Sequence, residues 1–316
     1  METYVIHVTK ECNMNCSYCY ENDKDSTYTW KEVKSFIVDI INNRTSNIFH
    51  IEFLGGEPLL AFDNIKKSVN YIESLNDVEV NSYTITTNGT ILDGEIVEFL
   101  KEHDNVDFAA SMDGTKFMNQ WRTFKDTNEN SHDTVIENCQ RLIREIGKDR
   151  VNVHMVTHLY NVASLSLGVK HLYDKGLRSV GIGTIESTMR IDNDYCNSYV
   201  DELKKVSNMV LDGTLKGLHV DVLEGLKPKS DVRHYLRDES GKVVGETYGR
   251  AGDDVTKNGN YKADATSSDL GDTIYNIRKA VYDYHQRNKD KYVKINEIKQ
   301  MGNSELANYT SKMYEE

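Results

Sequence analysis

Six short segments rich in β-branched and aromatic residues alternate with amphipathic patterns over the first 185 residues, and this alternation constrains the fold more than any other feature. Strands are predicted at Tyr4–Thr9, Ile48–Leu54, Ser82–Thr87, Val106–Met112, Val151–Thr157 and Ser179–Ile185. Between them, Trp30, Val33, Ile37, Ile40 and Ile41 recur at helical spacing, with Thr29 and Glu32 placed for a capping box. Ile65, Val69 and Ile72 mark a second helix, and Ile96, Phe99 and Leu100 a third. Val135, Ile136, Leu142 and Ile143 mark a fourth; Leu165, Val169 and Leu172 mark a fifth. Repeated crossover helices return the chain to the same edge, so the expected class is α/β with a parallel sheet. Periodicity does not decide between an open sheet and one curved into a barrel. Either places the active site at the C-terminal ends of the strands.

The remaining chain has a different texture. Tyr199, Leu203, Val206 and Val210 predict another amphipathic helix, and Ile274, Ile277, Val281 and Tyr284 a last one that packs back on the body. From Gly225 to Gly271 the sequence is rich in Gly, Asp, Ser and Lys, which reads as a long loop, a small hairpin or a lid. Arg233, His234, Arg237, Lys242 and Arg250 concentrate cations there. Two readings stand for 225–271: a lid that orders on a substrate or protein partner, or a tolerated surface insertion. The expected division is a core at 1–190 and an α-rich C-terminal extension at 191–316.

Asp and Glu outnumber Lys and Arg by 50 to 38, for a net charge of −12, which argues against a binder of long nucleic acid. No apolar run is long enough to span a bilayer, and the opening residues show no signal-peptide pattern. Five cysteines, three within eight residues, do not suggest a disulfide framework, so the expected compartment is the cytoplasm. Cys139 and Cys196 fall on apolar helix faces and read as small hydrophobes.

Those three are Cys12, Cys16 and Cys19, in the stretch Glu11-Cys12-Asn13-Met14-Asn15-Cys16-Ser17-Tyr18-Cys19-Tyr20 directly after the first strand. Thiolates on one polar loop suit zinc or an iron–sulfur cluster. A structural zinc site would need a fourth Cys or His, which the local sequence does not offer.

The spacing C-x-x-x-C-x-x-C, with an aromatic before the last cysteine, resembles the signature of the radical S-adenosylmethionine superfamily. The resemblance continues through Leu54-Gly55-Gly56-Glu57-Pro58-Leu59 after the second strand, Thr86-Thr87-Asn88-Gly89-Thr90 after the third and Ser111-Met112-Asp113-Gly114 ending the fourth. Four elements in register over the first 160 to 190 residues are similar to the peptide- and protein-modifying branch, which includes anaerobic sulfatase-maturating enzymes. The implied fold is a partial (β/α)6 barrel. The branch's cysteine-rich C-terminal extension has no counterpart, since no cysteine follows Cys196.

By resemblance, Cys12, Cys16 and Cys19 hold three irons of a [4Fe-4S] cluster, and S-adenosyl-L-methionine binds the fourth. Tyr18 is expected against the adenine. Gly55 and Gly56, supported by Glu57, are expected at the methionine amino group, because glycine permits close backbone approach. Ser111 and Asp113 are expected at the ribose or methionine end, Arg122 at the methionine carboxylate, and Asn88 in the pocket wall. Taken alone, Gly55, Gly56 and Pro58 would fit a simple strand-to-helix turn, and Asn88-Gly89 is a common turn pair. The implied activity is reductive cleavage of S-adenosylmethionine and hydrogen-atom abstraction from a peptide or protein side chain, with an electron donor such as flavodoxin or ferredoxin. Two alternatives stay open: radical modification of a nucleotide or nucleobase, and a zinc-stabilised scaffold without catalysis. The residue that completes the reaction on substrate is not assigned.

Overall fold

A computed structural model describes residues 2–19, 21, 24–46, 48–76, 78–185, 192–225, 232–237, 243–247 and 267–300. In chain order the strands are β1 (Glu2–Thr9), β2 (Ile48–Gly55), β3 (Glu79–Thr87), β4 (Val106–Ser111), β5 (Val151–Thr157), β6 (Ser179–Thr184), β7 (His219–Val220), β8 (Val232–Arg237) and β9 (Val243–Thr247). The helices are α1 (Trp30–Asn43), α2 (Phe62–Glu73), α3 (Gly94–Glu102), α4 (His132–Ile146), α5 (Leu165–Asp174), α6 (Asn193–Leu211), α7 (Asp221–Glu224) and α8 (Ser267–Gln300).

One sheet runs in the order β7-β6-β5-β4-β3-β2-β1-β8-β9. Every pairing from β7 to β8 is parallel; β9 alone runs antiparallel, on β8. The expected α/β class is realised, and the sheet does not close into a barrel. The small hairpin that is one reading of 225–271 exists as β8–β9, and it extends the sheet beyond β1 rather than standing apart. Of the rest of 225–271, Ser267–Gly271 begin α8, Gly225 follows α7, and the other residues lie outside the described ones, as does the 190 boundary.

Strand periodicity explains the layers. On β2, Phe49, Ile51 and Phe53 are buried, as are Ile85 on β3, Phe108 on β4, and Val153 and Met155 on β5. The apolar faces of the helices cover this side. On α1, Val33, Phe36, Ile37 and Ile40 are buried, and the expected Thr29–Glu32 capping box is formed. The alternate residues of the strands face the other way and are more polar and less buried: Glu52, Thr84 and Thr86, Ser111, Asn152 and His154. A parallel sheet usually has both faces covered by apolar elements. A polar, partly accessible face therefore marks where a ligand would lie. The C-terminal helices join the same core. Ile274 and Val281 of α8 are buried with Tyr195, Tyr199 and Leu203 of α6, and the Ser207 hydroxyl meets His285 Nδ1 at 2.9 Å. Cys139 is fully buried on α4, as expected, while Cys196 is half-buried against the core.

Candidate functional site

The cysteine loop leaves the C-terminal end of β1 and is gripped from two sides. On one side, Gly56 N–H donates to the Thr9 carbonyl at 3.0 Å and Glu57 N–H to the Glu11 carbonyl at 2.7 Å. On the other, Asn15 and Ser17 N–H groups donate to the Thr123 and Trp121 carbonyls at 2.9 and 3.0 Å. Lys125 N–H reaches the Asn13 carbonyl at 2.9 Å. Met14 anchors the loop from below, with no exposed surface. The segment 121–125 is thus a second wall of the loop, which the sequence reading did not assign.

The two glycines explain the first grip. A Cβ on Gly56 would lie 2.3 Å from both the Lys10 and Glu11 carbonyl oxygens, and one on Gly55 would lie 2.0 Å from the Thr9 oxygen. Gly55 also has φ of +148°, which disfavours a side chain. The close approach that these glycines permit is to the backbone leading into the cysteine loop. This gives the pair a positioning reason beside the one expected from the sequence.

Glu57 is fully buried and aims back into the protein. Its carboxylate accepts from the Thr87 hydroxyl at 2.6 Å, Asn88 N–H at 2.7 Å and Leu59 N–H at 3.0 Å. Burial raises its pKa to about 7 against the opposing pull of those three hydrogen bonds. The Asn88 side chain donates to Asn13 Oδ1 at 2.7 Å and lies 3.9 Å from Cys12 Sγ, while its own oxygen accepts from Thr90 N–H and hydroxyl. Asn13 returns a bond to the Thr90 hydroxyl at 2.9 Å. Asn88 therefore braces the loop through Asn13, a residue whose role had no signal beyond its place between cysteines.

Tyr18, Asp113 and Arg122 form one buried network. The Tyr18 hydroxyl donates to Asp113 Oδ2, and Arg122 Nη2 donates to Asp113 Oδ1 at 3.0 Å. Val156 N–H adds a third bond to Asp113 Oδ1 at 3.1 Å, and the Asp113 side chain has no exposed surface. The Arg122 guanidinium lies 5.3 Å from the centre of the Tyr18 ring, and His158 lies 5.5 Å away. Burial pushes the Tyr18 hydroxyl well above its ordinary value. Burial opposes the charge on Arg122, but Asp113 together with Tyr18 and Cys16 outweighs this and holds the cation. Both Asp113 oxygens thus have a partner within the protein, Oδ1 two of them and Oδ2 one. The Tyr18 ring retains little open surface for an adenine. Arg122 differs: its Nε is buried with no hydrogen-bond partner. Ser111 stands half-buried on the open sheet face.

Cys12, Cys16 and Cys19 are all free thiols and partly accessible. Burial raises Cys12 and pushes Cys16 up to about 11, with Arg122 pulling Cys16 the other way; the three sulfurs are close enough to repel one another as thiolates. Such a set is stable as thiolates only with cationic partners. Among the described residues, no three Cys, His, Asp or Glu side chains are grouped to hold a single metal ion. The three sulfurs stand on one short loop at the end of β1. This donor set fits a polynuclear iron–sulfur cluster. The partnerless Arg122 Nε fits a ligand carboxylate.

Comparison with known proteins agrees with this geometry. The profile of the Radical SAM superfamily matches residues 6–165. A cysteine-type anaerobic sulfatase-maturating enzyme of Clostridium novyi is 28% identical over 148 residues, covering 43% of this chain and 38% of that one. A probable GTP 3',8-cyclase of Methanococcus aeolicus is 23% identical over 263 residues, covering 76% and 72%. Among solved structures, anSMEcpe with bound AdoMet and the Cp18Cys peptide superposes with a TM-score of 0.60 at 19% identity, covering 71% of this chain and 64% of that one. The match to the maturating enzyme thus takes in less than half of that relative's length.

Proposed function

This chain belongs to the radical S-adenosylmethionine superfamily, enzymes that use a [4Fe-4S] cluster and S-adenosylmethionine, and from that premise we propose that it acts on a peptide or protein side chain by hydrogen-atom abstraction. Cys12, Cys16 and Cys19 would hold three irons of the cluster. When both groups are bound they supply one-electron cleavage of the sulfonium and, from it, abstraction of a substrate hydrogen.

The chain's own residues carry the rest. Gly55 and Gly56 let the turn after β2 lie against the backbone of residues 9–11, which fixes where the loop leaves the sheet. Glu57 ties that turn to β3, and Asn88 ties β3 to Asn13. Asp113 orients Tyr18 and Arg122 beside Cys16, leaving one guanidinium N–H for a carboxylate of the bound cofactor. Ser111 offers a hydroxyl on the open face.

The observation that carries this reading is the double grip on a loop of three free cysteines beside a polar, uncovered sheet face. The peptide assignment is supported by the likeness to sulfatase-maturating enzymes in sequence and fold. A nucleotide substrate is the second reading, favoured by the longer alignment with the probable GTP cyclase. An electron donor such as flavodoxin or ferredoxin would supply the reducing equivalent.

The reading is tested with anaerobically reconstituted enzyme, dithionite and S-adenosylmethionine. One arm holds a pool of synthetic peptides carrying Cys, Ser, Thr or Tyr, and the other GTP. Peptide mass changes together with 5′-deoxyadenosine support the proposal. Conversion of GTP with no change in any peptide would transfer it to the nucleotide reading.

A further inference from the structure

His154 sits in the middle of β5, directly between Ser111 of β4 and Gly181 of β6 in the ladder. Cross-strand partners point to the same side, so its ring shares the open face with Ser111. Glu52 and Thr86 face the same side and are bonded to each other at 2.5 Å. Gly-Ile-Gly at 181–183 explains how a ring fits there. A Cβ on Gly181 would lie 3.2 Å from His154 Cδ2, and one on Gly183 would lie 3.2 Å from His154 Nε2. The imidazole therefore lies across two glycines of the neighbouring strand, in space that any side chain at either position would contest. Asp221 Oδ2 approaches the same spot, 3.9 Å from the Gly181 position.

His154 is accessible to solvent, yet protein surrounds it closely enough that burial lowers its pKa, against the pull of Asp221 and Glu52 and with a smaller push from Arg122 and Arg278. This combination describes a recess. No hydrogen bond reaches the ring from any described residue. None of the sequence motifs includes His154, although Met112 N–H donates to its backbone carbonyl at 3.0 Å.

We propose that His154 is a substrate-contacting residue, which hydrogen-bonds a neutral polar group of a peptide held over the open face between Glu52 and Asp221. This rests on the peptide reading above and extends it. The carboxylates of Asp221 and Glu52 and the guanidinium groups of Arg122 and Arg278 all act on the ring, and such mixed charge suits a neutral amide, hydroxyl or thiol. Keeping the ring unpaired costs nothing while the recess is wet and provides a partner when a peptide displaces the water.

The test uses reconstituted holoenzyme of wild type, His154→Gln, His154→Ala and Gly183→Ala. Circular dichroism and iron content confirm that each variant is folded and loaded. With no substrate present, binding of S-adenosylmethionine and its uncoupled cleavage are expected within about twofold of wild type in all four. With the peptide pool, His154→Ala and Gly183→Ala are expected to lose at least about tenfold in product per S-adenosylmethionine cleaved, and His154→Gln to retain part of it. A tenfold loss of S-adenosylmethionine affinity in His154→Ala would make His154 a cofactor contact and overturn the proposal, as would unchanged coupling. A wild-type enzyme that cleaves S-adenosylmethionine but modifies no peptide would defeat the peptide reading itself, and the peptide named here with it.

Discussion

The Asn88 side-chain amide donates to Asn13 Oδ1 at 2.7 Å, and so joins the turn after β3 to the loop that carries the cysteines. Asn88 and Asn13 are 75 residues apart in the chain. Their bond is partly buried, and its loss would leave polar atoms without partners. Asn88→Ala should therefore cost about 1–3 kcal/mol at the loop. The reconstituted variant should lose its cluster several-fold faster than wild type under a fixed chelator challenge. Equal loss rates would show that the turn does not brace the loop.

Gly56→Ala tests the close approach at the end of β2. The added methyl would stand 2.3 Å from two carbonyl oxygens, and neither belongs to a flexible side chain. The backbone around Glu11 must move, at a cost of roughly 2–3 kcal/mol or more. Chemical denaturation of the apo-protein should show the loss, and iron incorporation should fall with it. A variant with wild-type stability and a full cluster would refute the positioning reason given for the glycine.

Asp113→Asn preserves the shape of the Tyr18–Asp113–Arg122 network and removes its negative charge. Arg122 is then a buried cation without compensation, which costs on the order of 3–5 kcal/mol. Denaturant unfolding should report that loss. A midpoint within error of wild type would mean that Arg122 finds another partner.

Glu57 gives a pH dependence of stated sign. Its carboxyl titrates near 7 in the folded protein, above the ordinary 4.5, because burial penalises the charge. The folded state therefore binds the proton more tightly than the unfolded state. This contribution is fully present below about pH 4.5 and is lost as the pH rises through about 7, by roughly 3 kcal/mol in total. Glu57→Gln should flatten the stability profile of the apo-protein across that window. An unchanged profile would place the titration elsewhere.

Much of the architecture was legible because the parallel sheet is built from strong local signals. Five of the six strand starts fall within two residues of expectation, and the Thr29–Glu32 box was readable from two residues. β3 begins earlier than expected, at Glu79, because pairing with Ile48 and Phe49 orders a polar stretch that has little strand character of its own. The addition of β8 beside β1 depends on a contact more than 200 residues away, which no local pattern encodes. At the site, the cysteines and the motifs were visible, but their partners were not. Asp113 reads as a ligand-binding acid in its motif, yet three donors from 18, 122 and 156 enclose it. His154 carried a signal that went unused. Asn152 and His154 break an otherwise apolar strand at period two, which says that one face of β5 meets something other than a helix.

Cys12, Cys16 and Cys19 are proposed to hold one iron–sulfur cluster that cleaves S-adenosylmethionine. Anaerobic reconstitution followed by metal analysis, low-temperature electron paramagnetic resonance and a 5′-deoxyadenosine assay tests it most directly. Wild type should bind about four irons per chain and cleave S-adenosylmethionine, and Cys→Ala at any of the three positions should abolish both. Stoichiometric zinc in wild type, with no iron that can be reconstituted and no 5′-deoxyadenosine formed, would contradict the account.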